Sequence, residues 1–453
     1  MGFTKFDRRG NWTVARHVAF HVNRFYSIKP FCDESVIPEV KKKLNHCPTD
    51  HSSYFGKAVK LKSLPVKDAD KFFANVDSLY APGTILWIEY PDVNVPEHFG
   101  YWLELFAPVF SHLSHSRYSA KNGNIPKTST VLKAVMIPNL RRDQVMAIPW
   151  IIQLLNIAVA PGSVHLNAPP PHLLFWDDIE GVALSQWIVF ERLLHVHNRH
   201  NHPDQKSIMA FPSHDMANKF RKAVFEATGV AWKQENTRPT TITYLMPAAE
   251  AGIVNNGEVV KALRLAASQV ANDTEYRVHQ GGKPFRVRPY TATLNVPLSS
   301  LVSIMSSTAL LVGRHSSLLA NAIFLPPGSA VLEILPYNYD VFGLNEVYRN
   351  LTEASGNDIG HIAWRAGSPD FMVYTSPETS RYGMWTSEEC SSPTCLQAHN
   401  SASILVDCKA LTQLSTHVLR AVLRNESGDA LRSRFGWPPG VKLSGTTGLW
   451  WDK

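Results

Sequence analysis

Residues 308–336 read TALLVGRHSSLLANAIFLPPGSAVLEILP. An apolar run ends at Gly313, and Arg314 and His315 follow it. Ser316 and Ser317 then open a short helical pattern that Pro326-Pro327-Gly328 stops. A second apolar run, AVLEIL, carries a single acid, Glu333. Two apolar runs this short, joined by a helix-forming segment, predict parallel strands, since sixteen residues from Arg314 to Ser329 suffice for a compact crossover. Strands of a parallel sheet are buried on both faces, so a carboxylate inside one is expensive unless something holds it.

The same alternation extends on both sides. Upstream lie a strand at 240–245, a helix at 258–270, a strand at 285–287 and a helix at 298–307. Together they predict a doubly wound parallel sheet flanked by helices. The first half mixes strand patterns (84–89, 131–137, 173–176) with helical ones, from Tyr101 onward and at 213–228, where Gly229 closes the helix. A chain of 453 residues is too long for one ordinary core. The expected division is 1–236, 237–400 and a helical tail over 401–453.

Composition narrows the function classes. The formal charge of +7 comes in pairs and one triplet, such as Lys41-Lys42-Lys43, with no nucleic-acid module, so no nucleic-acid partner is expected. A basic surface also suits a protein that handles phosphates. No apolar run reaches the roughly 18–20 residues of a membrane span, and the start MGFTKFDRRG lacks the apolar core of a signal peptide. Either the chain works in the cytoplasm or a targeting segment is missing from it. Cys390 and Cys395, five apart in CSSPTC, predict a local loop disulfide, and an odd total of five leaves at least one thiol over. Four glycosylation sequons, at Asn11, Asn272, Asn350 and Asn425, give weak support for a secretory protein.

Several tempting clusters read as ordinary structure. The run HVHNRHNHPD (195–204) has four histidines but few acids to orient them on a metal. Asp68-Ala69-Asp70 has the spacing of metal-dependent transferases, yet it lies in a lysine-flanked polar stretch that suits a solvated helix face. The tryptophans of GLWWDK (448–453) could stack on a sugar, but they stand at the chain end, where order is often lost. No metal site is expected. The junction at 313–317 is different, because the free N–H groups and dipole of a helix N-terminus favour an anion. Arg314, His315 and two hydroxyls there suit a phosphate or diphosphate, and Glu333 suits a ribose diol. The plain alternative is an N-cap and an acid paired with a neighbouring cation.

The stretch 311–336 resembles the most distinctive block of glycosyltransferase family 61: a strand ending in a Val-Gly-x-His turn, then Asn-x-x-Phe-Leu-Pro-Pro-Gly, then a strand with a glutamate. Gly313, His315, Asn321, the run Phe324–Gly328 and Glu333 match as they stand. Blocks at 95–110 (VPEHFGYWLELFAPVF), 218–225 (NKFRKAVF) and 243–263 (TYLMPAAEAGIVNNGEVVKAL) are similar in the same order. The resemblance covers about residues 90 to 350. It implies a GT-B-like α/β fold, two Rossmann-like lobes with a cleft between them, the first for the acceptor and the second for the nucleotide-sugar.

It further implies inverting transfer from a UDP-sugar to a hydroxyl of a glycan or glycoprotein, without an obligatory metal or other cofactor, in the Golgi or ER lumen. Gly313, Arg314, His315, Ser316 and Ser317 would then hold the diphosphate, Glu333 the ribose and Asn321 the loop. Glu104 or His98 would take the acceptor proton. Two departures carry a second reading. Ser316-Ser317-Leu318 stand where the family has Gly-Ala-Gly, and the loop 246–251 lacks the family's arginines. On that reading the chain keeps the fold, is catalytically inactive and binds a glycan or a protein.

Overall fold

The computed structural model describes residues 5–9, 12–22, 24–30, 61–66, 68–121, 132–163, 169–196, 211–231, 239–246, 252–273, 284–291, 296–339, 347–354, 358–386, 388–428 and 430–431. The chain is mixed α/β and divides into two compact units. Unit 1 comprises 1–97 and 104–208; unit 2 comprises 98–103 and 209–453. The expected boundary at 236/237 lies outside the described residues. Helix His214–Thr228, placed before that boundary by the sequence, belongs to unit 2. The reason is physical: its Arg221 is buried and donates to the backbone oxygen of Leu325.

Unit 1 is built on an eight-stranded mixed sheet. Its strands are β1 (Lys5–Arg9), β2 (Trp12–His21), β3 (Arg24–Pro30), β4 (Leu61–Val66), β5 (Ser78–Ile88), β6 (Leu132–Ile137), β7 (His172–Phe175) and β8 (Trp187–Val196). The order is β4-β3-β2-β8-β5-β6-β7, with β1 on β2. Strands β8, β5, β6 and β7 run parallel, as a Rossmann-like unit would. Strand β2 is antiparallel to both β3 and β8, so the sheet as a whole is not of the purely parallel kind.

The helices of unit 1 follow local signals. Helix α1 (Ala69–Ala74) is capped by Asp68, whose Oδ1 accepts from the N–H groups of Asp70 and Lys71 at 3.0 and 3.2 Å. That cap is the use of the Asp-Ala-Asp spacing. Helix α2 (Phe99–Lys121) is buried over 102–111 on every side, and its first turn clusters with unit 2. Helices α3 (Pro149–Ser163) and α4 (Trp176–Ser185) follow in the chain. The long apolar run at 147–160 is thus a core helix. No helix among the described residues is long and apolar enough to cross a membrane.

Unit 2 holds a five-stranded, wholly parallel sheet. Its strands are β9 (Thr241–Met246), β10 (Arg286–Thr291), β11 (Thr308–Arg314), β12 (Ala330–Leu335) and β13 (Gly360–Arg365). The order β10-β9-β11-β12-β13 is the 2-1-3-4-5 order of flavodoxin-like sheets, with the switch point between β9 and β11. Around it lie α5 (His214–Thr228), α6 (Asn256–Ala271), α7 (Leu298–Ser306), α8 (Val347–Ala354), α9 (Pro393–Ser401) and α10 (Cys408–Leu423).

Each end has its cause. Ser213 caps α5 and Gly229 ends it at φ +68°, while Asp407 caps α10 through the N–H groups of Lys409 and Ala410. One sheet face buries Tyr244, Leu310, Val312, Leu332, Ile334 and Trp364 under α6 and α10. Of the tail expected over 401–453, the longest described element is this α10, which packs on the second sheet.

Candidate active site at the carboxyl end of the second sheet

Ligands of doubly wound sheets sit beyond the carboxyl ends of the strands at the switch point. In unit 2 that point is the end of β9 and β11, where β11 runs into His315, Ser316 and Ser317. The loop after β9, residues 247–251, lies outside the described residues. Ser316 has extended backbone, and a 3-10 helix runs from Ser317 to Phe324 in place of the short helix expected. His315, Ser316, Ser317 and Leu318 are half-buried, whereas β11 before them and Leu319–Phe324 after them are buried. The first N–H groups of that helix have no acceptor inside it.

Two strands deliver the charged groups. Parallel register sets Gly313 opposite Glu333 and Val331 opposite His361. Side chains alternate along a strand, so Gly313, His315, Glu333 and His361 share one face. There Glu333, fully buried, accepts from His315 Nδ1 on one oxygen and from His361 Nε2 at 2.8 Å on the other. Burial pushes the Glu333 carboxyl up, but the charge and N–H groups of the two histidines outweigh it and hold it below the usual carboxylate range. The His315 ring also packs against Tyr339 and Tyr348, with centroids 4.9 and 5.1 Å away. Tyr348 donates its hydroxyl proton to the Ser316 carbonyl.

Other expected residues make contacts within the protein. Arg314 was expected to meet phosphate; its guanidinium is buried and donates to the backbone oxygens of Gly252 and Asn400. Burial lowers its pKa to about 10. Glu333, expected at a ribose, has both oxygens taken by histidines. A Cβ at Gly313 would lie 3.1 Å from Leu245 Cβ and 3.4 Å from Leu319 Cδ2, so the glycine makes room for the 3-10 segment. Asn321 is buried and donates to the Leu318 carbonyl at 2.9 Å, which ties the turn as a loop residue would. Glu104 is fully buried in α2. His98 caps that helix, accepting from the Tyr101 N–H at 3.2 Å and stacking on its ring.

Two functional candidates escaped the sequence reading. His361 lies in GHIAWR, a strand whose polar residues hide its apolar alternation, and only the register puts it beside Glu333. Glu89 follows β5, next to β8, at the switch point of the first sheet. Burial raises its carboxyl pKa, opposed in part by the Trp87 indole N–H at 3.0 Å. Its signal was a lone acid ending TILWIE.

Among the described residues, the ligand atoms of Cys390, Cys395 and His399 lie within 4.8 Å of one another, but both sulfurs are tied in the expected disulfide. Of the histidine run, His195 is buried in β8 and the rest lies outside the described residues, as do Cys32, Cys47, Asn11 and 448–453.

Known proteins resemble part of this chain. No protein-family profile matches it. A protein O-linked-mannose β-1,4-N-acetylglucosaminyltransferase 2 of Tetraodon nigroviridis is 27% identical over 149 residues, 32% of this chain and 22% of the relative. The Bos taurus and Homo sapiens proteins of the same name are 34% and 32% identical over 97 residues, 21% of this chain and 16% of each relative. Its relatives are glycosyltransferases. The matched stretches span less than a quarter of each relative's length.

Proposed function

We propose that this chain is an inverting glycosyltransferase that moves a sugar from a UDP-sugar to a hydroxyl of a glycan or glycoprotein. The observation that carries the reading is the half-buried turn 315–318 at the switch point of a parallel sheet, backed by the His315–Glu333–His361 cluster. In this reading the two α/β units are the lobes of a GT-B-like enzyme. The first N–H groups of the 3-10 helix, the Ser316 and Ser317 hydroxyls and the outer nitrogen of His315 meet the diphosphate, as preorganised donors aimed where charge develops. Gly313 and Asn321 shape the turn.

Chemistry on the acceptor side needs a carboxylate or imidazole to take the hydroxyl proton. Glu104 and His98 remain candidates. Glu89 joins them, because a carboxyl raised by burial is a better base at neutral pH than an ordinary one. No metal is required by this scheme, and chelation by EDTA is expected to leave turnover intact. The relatives' names make N-acetylglucosamine the first donor sugar to test and O-linked mannose the first acceptor. A lumenal location in the Golgi or ER fits the Cys390–Cys395 disulfide and the exposed sequon residues Asn272, Asn350 and Asn425.

One observation favours the second, non-catalytic reading: Arg314, the one strong cation of the turn, is spent on backbone carbonyls. Calorimetry separates the two. Selective binding of UDP over GDP and ADP, weakened by His315→Ala, followed by turnover with a UDP-sugar, supports the transferase. If no nucleotide binds, that reading fails and a glycan- or protein-binding module is left.

A further inference from the structure

The cluster behind the turn has an asymmetry that fixes where its protons sit. His361 and Glu333 are fully buried, and His315 has 11% of its side chain exposed. Among the described residues, Nδ1 of His361 is buried with no hydrogen-bond partner. A proton there would leave a charged donor unpaired in the interior, which is costly. His361 therefore serves as a neutral ring that donates from Nε2 to Glu333. The charge of Glu333 is left for His315, whose Nδ1 faces the other carboxylate oxygen. Among the described residues Nε2 of His315 makes no hydrogen bond, and His315 is the member of the cluster whose side chain is partly exposed.

We propose that His361 and Glu333 are positioning residues that keep a proton on Nδ1 of His315, so that its Nε2 is turned outward as the contact to the donor's diphosphate. The logic is that of any carboxylate–imidazole pair, where the partner of one ring nitrogen sets the state of the other. The proposal rests on the nucleotide-sugar reading. In the transfer, the bond from the sugar C1 to the diphosphate oxygen breaks and its electron pair stays on that oxygen. The acceptor oxygen bonds C1 and its proton passes to the base of the acceptor side. Nε2–H of protonated His315 donates a hydrogen bond to the departing oxygen and keeps its proton.

The titratable groups around the His315 ring are Glu333 on β12, His361 on β13, Arg314 on its own strand, Tyr339, and Tyr348 on α8.

The test is nitrogen-15 NMR on the ligand-free protein with labelled histidine, the His315 signal being assigned with His315→Asn. The expected result is that neutral His315 carries its proton on Nδ1. His361→Leu should shift that tautomer and weaken UDP binding by about tenfold or more, while His361→Gln, which keeps an N–H donor, stays near wild type. A wild-type His315 protonated on Nε2 overturns the proposal without any variant. So does a folded His361→Leu with unchanged tautomer and UDP affinity. If UDP binds while the tautomer is wrong, the relay fails and the nucleotide reading stands. An Nδ1–H tautomer in a protein that binds no UDP refutes the nucleotide reading and with it the role of Nε2.

Discussion

Acidification is expected to loosen unit 2 through His399, and His399→Asn should remove the effect. His399 lies on α9, fully buried, with Nδ1 3.1 Å from the Tyr374 hydroxyl. Burial pushes its pKa down to about 4, a backbone contact at Tyr382 opposing it only in part. The sign follows from the two states. The unfolded chain takes up a proton as pH falls below about 6.5, whereas the native ring stays neutral until about 4. Stability is therefore whole above 6.5, declines between 6.5 and 4, and levels off below. At about 1.4 kcal/mol per pH unit over about 2.5 units, the loss has an upper bound of about 3.5 kcal/mol.

Asn is the right replacement because its Oδ1 can stand where Nδ1 accepts from Tyr374, and it does not titrate. With two units present, a single global unfolding curve is not a safe measure. Hydrogen exchange of α10, followed by mass spectrometry from pH 7 to 4, reports unit 2 by itself. The opening free energy of α10 should fall with pH in the wild type and much less in His399→Asn. Parallel curves for the two proteins would refute the assignment of a neutral, buried His399.

Glu333 acts lower on the pH scale. Its depressed carboxyl gives stability that is whole above about 4.5 and is lost as pH falls through the lower native value, so Glu333→Gln should flatten that acid limb in a denaturation series. Gly328 sits at φ +77° with a prospective Cβ 2.5 Å from Asn425 Oδ1. Gly328→Ala should cost about 1–2 kcal/mol by urea denaturation, and adding Asn425→Ala should recover only the part due to the clash. Arg221 donates to the Leu325 carbonyl and to Asn218 Oδ1 at 3.1 Å, so Arg221→Leu should lose about 2–3 kcal/mol of stability. Arg314→Met should lower the melting temperature and leave UDP affinity within about threefold, because its donors face Gly252 and Asn400.

The second half was legible because its signals agree. Apolar runs of six residues, Ser213 and Gly229 at the ends of α5, and the Pro-Pro-Gly stop each say locally what the sheet requires. Strand β12 has the bounds of the apolar run AVLEIL, and β11 runs one residue past Gly313, to Arg314. The N-terminal strands were not legible. In β2, WTVARHVAFH, arginine and histidines interrupt the apolar run, and the strand pairs with β8, whose partners lie about 180 residues away. Such pairing is invisible to a local window. The turn at 317–324 was legible as helical but not as 3-10, since both leave the same apolar residues inward.

Arg314 and Glu333 show what alternation alone could have told. Both were expected on one ligand. Yet if β11 and β12 are parallel neighbours with Gly313 beside Glu333, the residue after Gly313 must point the other way. Arg314 accordingly reaches carbonyls on the side covered by α6 and α10, and His315, one residue further, returns to the Glu333 side. A parallel strand buried on both faces gives its end only every second residue to spend on a ligand. On the proposed reading, the group that meets an anion at this turn is therefore the histidine and not the arginine, and its orientation depends on a carboxylate the solvent never touches. That dependence is why an acid could be kept inside AVLEIL: its partners lie on both neighbouring strands, one from the turn and one from GHIAWR, and removing either leaves a buried charge half satisfied.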